Sequence, residues 1–222
     1  MTSRPYVLLN MVASVDGKAA VDGKASGLGT ATDRSVMRTL RSRADAVMVG
    51  GGTVRAERLS LSLDPEDTRQ VPRAVILTNI GDLPLENNLV WDHRQKVLVL
   101  LSENADKGAE RRLGRLAEIR RVPATESGAI DVASALNIMK SRYGIDILLC
   151  EGGPKLIRAL ISDDLADELF ITVAPVLVGS KTIEEPRVFL QDRLGGPTSL
   201  GLISSHAAGD EIFLRYAIQQ HP

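Results

Sequence analysis

The sequence predicts an α/β protein whose central sheet is mostly parallel and covered by helices on both faces. Three observations point there. Apolar runs such as "DAVMV", "RAVIL" and "DILLC" are continuous rather than alternating, as in strands buried on both sides. Stretches with helical spacing separate these runs, the order that builds parallel sheets. The tail "SLGLISSHAAGDEIFLRYAI" instead reads as two strands meeting around Gly209-Asp210, an antiparallel hairpin added to the sheet.

The elements follow in order. "RPYVLLNMVAS" is an opening strand that breaks into turns at Asp16-Gly17 and Asp22-Gly23, where glycine supplies positive φ. Val36, Met37 and Leu40 then fall on one helical face, after Thr30, Thr32 and Asp33, any of which can cap its start. "ADAVMVGGG" is a buried strand ending in glycine, and "RAVILTN" and "KVLVLLSE" are two more. "VASALNIMKSRYG" has helical spacing, with Gly144 set to end it. "IDILLCE" is a further strand, with Glu151 as its last residue, running into Gly152-Gly153. Pro154 opens the next helix, and "DELFITVAPVLVG" is the strand after that. The longest polar connection is "RAERLSLSLDPEDTRQVPR", of the kind that often borders a site in this class.

Composition narrows the function. The 222 residues read as one domain, 1–222, without repeat, low-complexity segment or linker. A net charge of -1 lacks the basic excess that phosphate backbones select, which argues against nucleic acid as a partner. No stretch reaches the ~20 apolar residues of a membrane span, and Met1–Pro5 leads into a strand rather than a signal peptide, so a cytoplasmic location is expected. A single cysteine, Cys150, allows no internal disulfide, and three scattered histidines give no metal-ligand spacing.

In open α/β sheets ligands collect where strands end and helices begin. Two junctions qualify: Gly50-Gly51-Gly52-Thr53 after "DAVMV" and Gly152-Gly153-Pro154-Lys155 after "DILLC". Neither is a Rossmann fingerprint or a P-loop, and either alone is ordinary turn chemistry. Two together favour a dinucleotide. Lys155 adds weight, because a cation in the first turn of a helix is unfavourable without an anion nearby.

With these pieces in place the chain resembles the pyrimidine reductase domain of riboflavin biosynthesis, which has the dihydrofolate reductase-like three-layer αβα fold. The matching stretches are "RPYVLLNMVASVDGKAA", "LRSRADAVMVGGGTVRAE", "LLCEGGPKL" and "DELFITVAPVLVG", in the family's order from residue 4 to about residue 217. The resemblance implies a homodimer that uses NADPH to reduce the ribosylamino group of a pyrimidine 5′-phosphate to ribitylamino. It implies a cofactor site at Ala13, Leu28, Gly50, Gly51, Thr53, Glu57, Thr78 and Gly152 through Leu156, that is Gly152, Gly153, Pro154, Lys155 and Leu156. Ser26, Arg41, Leu61 and Glu151 would face the substrate, with Arg41 suited to its phosphate. If the sugar opens to an imine, Glu151 is the first candidate to deliver a proton and Asp16 the second.

Structural rivals stand beside these roles. Arg41 ends its helix, where the dipole favours a cation, Asp16-Gly17 is a standard turn pair, Ser26 sits in a run of small residues, and Cys150 suits a core. Three positions depart from the family pattern: Glu57 is one methylene longer than the usual aspartate, Leu28 stands where some members carry tryptophan, and Asp64 stands where a second phosphate-binding arginine is expected. No H-x-E with P-C-x-x-C appears, so reduction without deamination is expected. The alternatives are a same-fold reductase of another heterocycle, such as a dihydropterin, and a non-catalytic NADPH-binding module.

Overall fold

A computed structural model describes residues 3–21, 27–63, 70–86, 88–91, 94–179, 194 and 196–219. Among the described residues nine strands form one sheet: β1 (Tyr6–Ser14), β2 (Ala46–Gly50), β3 (Arg73–Thr78), β4 (Val97–Ser102), β5 (Glu118–Val122), β6 (Ile147–Cys150), β7 (Glu168–Ala174), β8 (Leu200–Ala208) and β9 (Glu211–Ile218). The helices are α1 (Ala31–Arg41), α2 (Gly51–Ala56), α3 (Lys107–Leu113), α4 (Val132–Tyr143) and α5 (Pro154–Ser162). The strand order is β5-β4-β3-β2-β6-β1-β7-β9-β8. β5 through β7 in that order run parallel, and the β8–β9 hairpin closes the sheet antiparallel, turning at Gly209 with φ 60°.

The continuous apolar runs have the predicted cause. Ala46 and Met48 of β2 point into a core completed by Leu136 and Met139 of α4 and Leu156 and Leu160 of α5. Val47 and Val49, one residue out of phase, enter a second core with Leu40 of α1, Val54 of α2 and Leu113 of α3. Strand alternation thus feeds two apolar layers from one strand. Full burial of a leucine contributes about 1.5–3 kcal/mol, so both faces depend on this phase. Cys150 is a core residue with no exposed surface, and burial pushes its thiol up to about 12.

Caps set the helix ends. The Thr30 hydroxyl accepts the N–H groups of Thr32 and Asp33, so among the three candidates Thr30 is the cap of α1. Gly144 ends α4 at φ 64°, and Pro154 occupies the first turn of α5. β6 ends at Cys150, leaving Glu151 one residue beyond the strand rather than within it. α3 and β5 are elements the sequence reading does not place. β5, "EIRRV", is a charged sheet edge, and α3 has seven residues rich in arginine, so neither carries a clear apolar period. Among the described residues no helix is long and apolar enough to cross a membrane.

Candidate active site

β2 and β6 are hydrogen-bonded neighbours, so the two glycine junctions open side by side. The Gly50 N–H donates to the Gly152 carbonyl at 2.7 Å, and the Gly152–Gly153 peptide is cis. Side chains are excluded here by contact. A Cβ on Gly153 would lie 2.8 Å from Thr53 Oγ1 and one on Gly51 would lie 2.8 Å from Thr78 Oγ1, whereas one on Gly50 would make only ordinary contact, 3.6 Å from Gly153 N. No side chain caps α5 at Gly153, Pro154 has no N–H of its own, and Lys155 is exposed beside them while Leu156 turns into the core. An uncapped helix start with bare backbone and an adjacent cation has the donors that a dinucleotide diphosphate requires, so these residues fit a nicotinamide cofactor.

The other expected cofactor residues surround this junction to different degrees. Ala13 lies near the end of β1 and is buried, two residues beyond Met11, whose sulfur would lie 3.4 Å from a Cβ on Gly152. Thr78 is buried, and its hydroxyl accepts the Gly81 N–H at 3.2 Å. Glu57 caps the C-terminus of α2, and its carbonyl accepts from Asn88 at 3.1 Å. Leu28 is buried. Phe170 packs into the α1-side core, and strand alternation puts Thr172 on that same face, opposite Ile171 and Val173.

The two residues expected to face the substrate separately are joined. Arg41 Nε and Nη2 donate to the two carboxylate oxygens of Glu151, each at 2.7 Å, and Arg41 Nη1 donates to the Ser62 carbonyl at 3.0 Å. The side chains are 6% and 11% exposed. A bidentate fork at this separation is the strong form of ion pair, and it holds Glu151 as an acceptor. Leu61, expected at the substrate, is instead a core residue with no exposed surface, since its side chain completes the apolar layer with Leu40 and Val54. Asp16 accepts from the Ser14 hydroxyl at 2.6 Å and from the backbone of Val178 and Gly179 at 3.1 and 2.7 Å. Led by the Ser14 bond, these donors hold its carboxyl down at about 2, which makes it an anionic tie between two loops. Ser26 and Asp64 lie outside the described residues.

One acid was visible in the sequence only as a candidate cap. Asp33 shares the inward face of α1 with Val36, Leu40 and Arg41, at spacings of three, four and one, and it is half-buried. Burial is the largest influence on its carboxyl and raises it above the ordinary value. The Thr172 hydroxyl donates to it and opposes that rise, Arg34 does so by charge, and the carboxylates of Glu211 and Glu151 push it further up. Glu211, 2% exposed at the start of β9, accepts from the Thr30 hydroxyl at 2.5 Å. The residue that makes Asp33 legible is Arg41, eight positions on and therefore on the same helical face.

The family model described as the RibD C-terminal domain matches residues 5–214. A 2,5-diamino-6-ribosylamino-4(3H)-pyrimidinone 5′-phosphate reductase of Archaeoglobus fulgidus is 30% identical over 188 residues, covering 80% of this chain and 84% of the relative. The reductase of the same name from Methanothermobacter thermautotrophicus is 27% identical over 97% of this chain and 99% of its own length. Among solved structures, Acinetobacter baumannii RibD superposes with a TM-score of 0.80 at 24% identity, over 98% of this chain and 59% of that one, which shows a shared fold.

Proposed function

The chain belongs to the RibD C-terminal domain family, and we propose that it is the NADPH-dependent reductase of a 2,5-diamino-6-ribosylamino-4(3H)-pyrimidinone 5′-phosphate, converting ribosylamino to ribitylamino in riboflavin biosynthesis. The observation that carries this reading is the meeting of the two glycine junctions one residue away from the buried Arg41–Glu151 pair. A cofactor cradle and a polar wall for a second ligand thereby share one strand end. A protein that only held the cofactor has no use for that wall.

When bound, the nicotinamide cofactor supplies the hydride. The protein's part is position and field. Gly152, Gly153 and Pro154 leave the start of α5 open to a diphosphate, and Lys155 adds a cation beside it. Gly50, Gly51, Thr53 and Thr78 form the adjoining wall, with Ala13, Leu28, Glu57 and Leu156 at its margins. On the other side Glu151, fixed by Arg41, presents carboxylate oxygens to the donor-rich edge of a diaminopyrimidine or to sugar hydroxyls. Arg41 is in this reading the positioning residue for Glu151. A homodimer is the expected assembly, supported by exposed Leu202 and Ile203 on the outer strand β8, and the site of action is taken to be the cytoplasm.

The test is NADPH oxidation by the purified protein, followed by absorbance against the pyrimidinone phosphate, its dephosphorylated form and a dihydropterin. Turnover of the phosphorylated pyrimidinone is the expected result. Oxidation with the dihydropterin alone would replace the substrate, and cofactor binding without turnover of any of the three would reject a reductase.

A further inference from the structure

We propose that Asp33 is the residue that delivers the proton consumed by the reduction. This rests on the reductase reading above and deepens it. Among the described residues the two acids that the sequence put forward for the task are both committed elsewhere: Glu151 accepts from Arg41 at each oxygen, and Asp16 ties the turn after β1 to the backbone at 178–179. Asp33 lies on the same helix as Arg41, near its opposite end, and is released from capping because Thr30 performs that role. It is half-buried, and the Thr172 hydroxyl donates to its carboxyl.

The chemistry balances with one such acid. Ring opening breaks C1′–O4′ as the exocyclic nitrogen forms a double bond to C1′; O4′ gains one proton and the nitrogen loses one, so none is consumed. Hydride then adds to C1′, the π pair of the C=N bond moves to nitrogen, and nitrogen takes a proton from the Asp33 carboxyl. One substrate, one NADPH and one proton yield the ribitylamine and NADP+. Asp33 returns to its acid form from solvent.

The surroundings suit that role. Among the described residues Glu211 from β9 and Glu151 from beyond β6 act on Asp33 as like charges, Thr172 from β7 donates to it, and Arg34 on its own helix acts on it as a cation. Two neighbouring carboxylates and partial burial favour its protonated form, whereas Thr172 and Arg34 favour the charged one. Acids and bases are assigned where environments push like groups apart, and Asp16, held down at about 2, marks the other extreme.

The experiment compares wild type with Asp33→Asn and Thr172→Val on the pyrimidinone phosphate. Loss of a positioned general acid lowers kcat by roughly 10²-fold or more. Asp33→Asn is expected to show that loss with NADPH affinity unchanged by fluorescence titration, and to lose the decline of kcat with rising pH. Thr172→Val removes a donor that favours the charged carboxyl, so its decline is expected at higher pH than in wild type. Independently of turnover, a carboxyl ¹³C resonance absent from Asp33→Asn is expected to titrate above the ordinary aspartate value. The inference is overturned if wild type turns over while Asp33→Asn keeps kcat within about threefold and retains the wild-type pH profile. It is equally overturned if the Asp33 resonance titrates at or below the ordinary value. Failure of wild type on every substrate sinks the reductase reading instead.

Discussion

The glycine junctions and the carboxyl wall lie on adjacent strand ends but are made in opposite ways. The junctions are backbone objects: neighbouring residues, a proline at the first turn of α5 and contacts that leave no room for a Cβ. The wall is assembled from side chains that are remote in sequence, with Arg41 and Glu151 separated by 110 positions and Thr30 and Glu211 by 181. One region depends on what is missing from its residues, the other on partners that only the finished fold supplies. Damage to the two should therefore look different. A change in the wall costs stability first, and a change in the junction costs ligand first.

The sharpest way to break that distinction is Arg41→Ala. It leaves Glu151, 11% exposed, without its guanidinium, and removing one partner of a buried pair costs about 3–5 kcal/mol. Urea unfolding of Arg41→Ala should show that loss, and Arg41→Lys should recover only part of it because an ammonium cannot make the fork. A loss below about 1 kcal/mol, the range of a surface pair, would mean that the wall is not held together by this contact.

Gly153→Ala tests the other region. Its Cβ would meet Thr53 Oγ1 at 2.8 Å, and forced overpacking of this kind costs about 1–3 kcal/mol. Placed at the proposed cradle, that energy corresponds to roughly 5- to 150-fold in cofactor affinity. Fluorescence titration with NADPH should show weakened binding, with less loss in a Thr53→Ala background, where the clashing hydroxyl is gone. Equal loss in both backgrounds would show that the clash is not the cause.

The same contrast explains what could be read in advance. Glycine after an apolar run and proline at a helix start are local signals, so the two glycine junctions, the end of α4 at Gly144 and the hairpin at Gly209 were visible in the residues. Arg41 and Glu151 were visible only as separate residues, because nothing local says that they meet. Asp33 appeared as one of three possible caps, and only the Thr30 bonds free it for another role. Leu61 was placed at the substrate by the resemblance alone, and the polar loop around it gives no local sign that its side chain completes a core layer. α3 and β5 escaped notice since a short arginine-rich helix and a charged edge strand bury too little to leave a period.

The smallest effect separates an acid tied locally from an acid enclosed by the fold. Asp16 is held at about 2 against an ordinary 3.8, so the unfolded chain binds more protons between those values. Its contribution to stability is complete above pH 3.8 and fades as the pH falls through that window. Asp33 has the reverse sign. Its folded value is raised, the native state binds the extra proton above pH 3.8, and stability falls as the pH rises toward the folded value. Urea unfolding from pH 3 to 8 should therefore show Asp16→Asn losing stability relative to wild type as the pH rises from the acid end. Asp33→Asn should gain relative stability over its own window and keep that gain at neutral pH. A residue whose replacement stabilises the fold while abolishing turnover is retained for chemistry, because the fold alone would discard it. Parallel curves for the two variants would show that Asp33 is another structural tie, and would return the proton to Glu151 or to water.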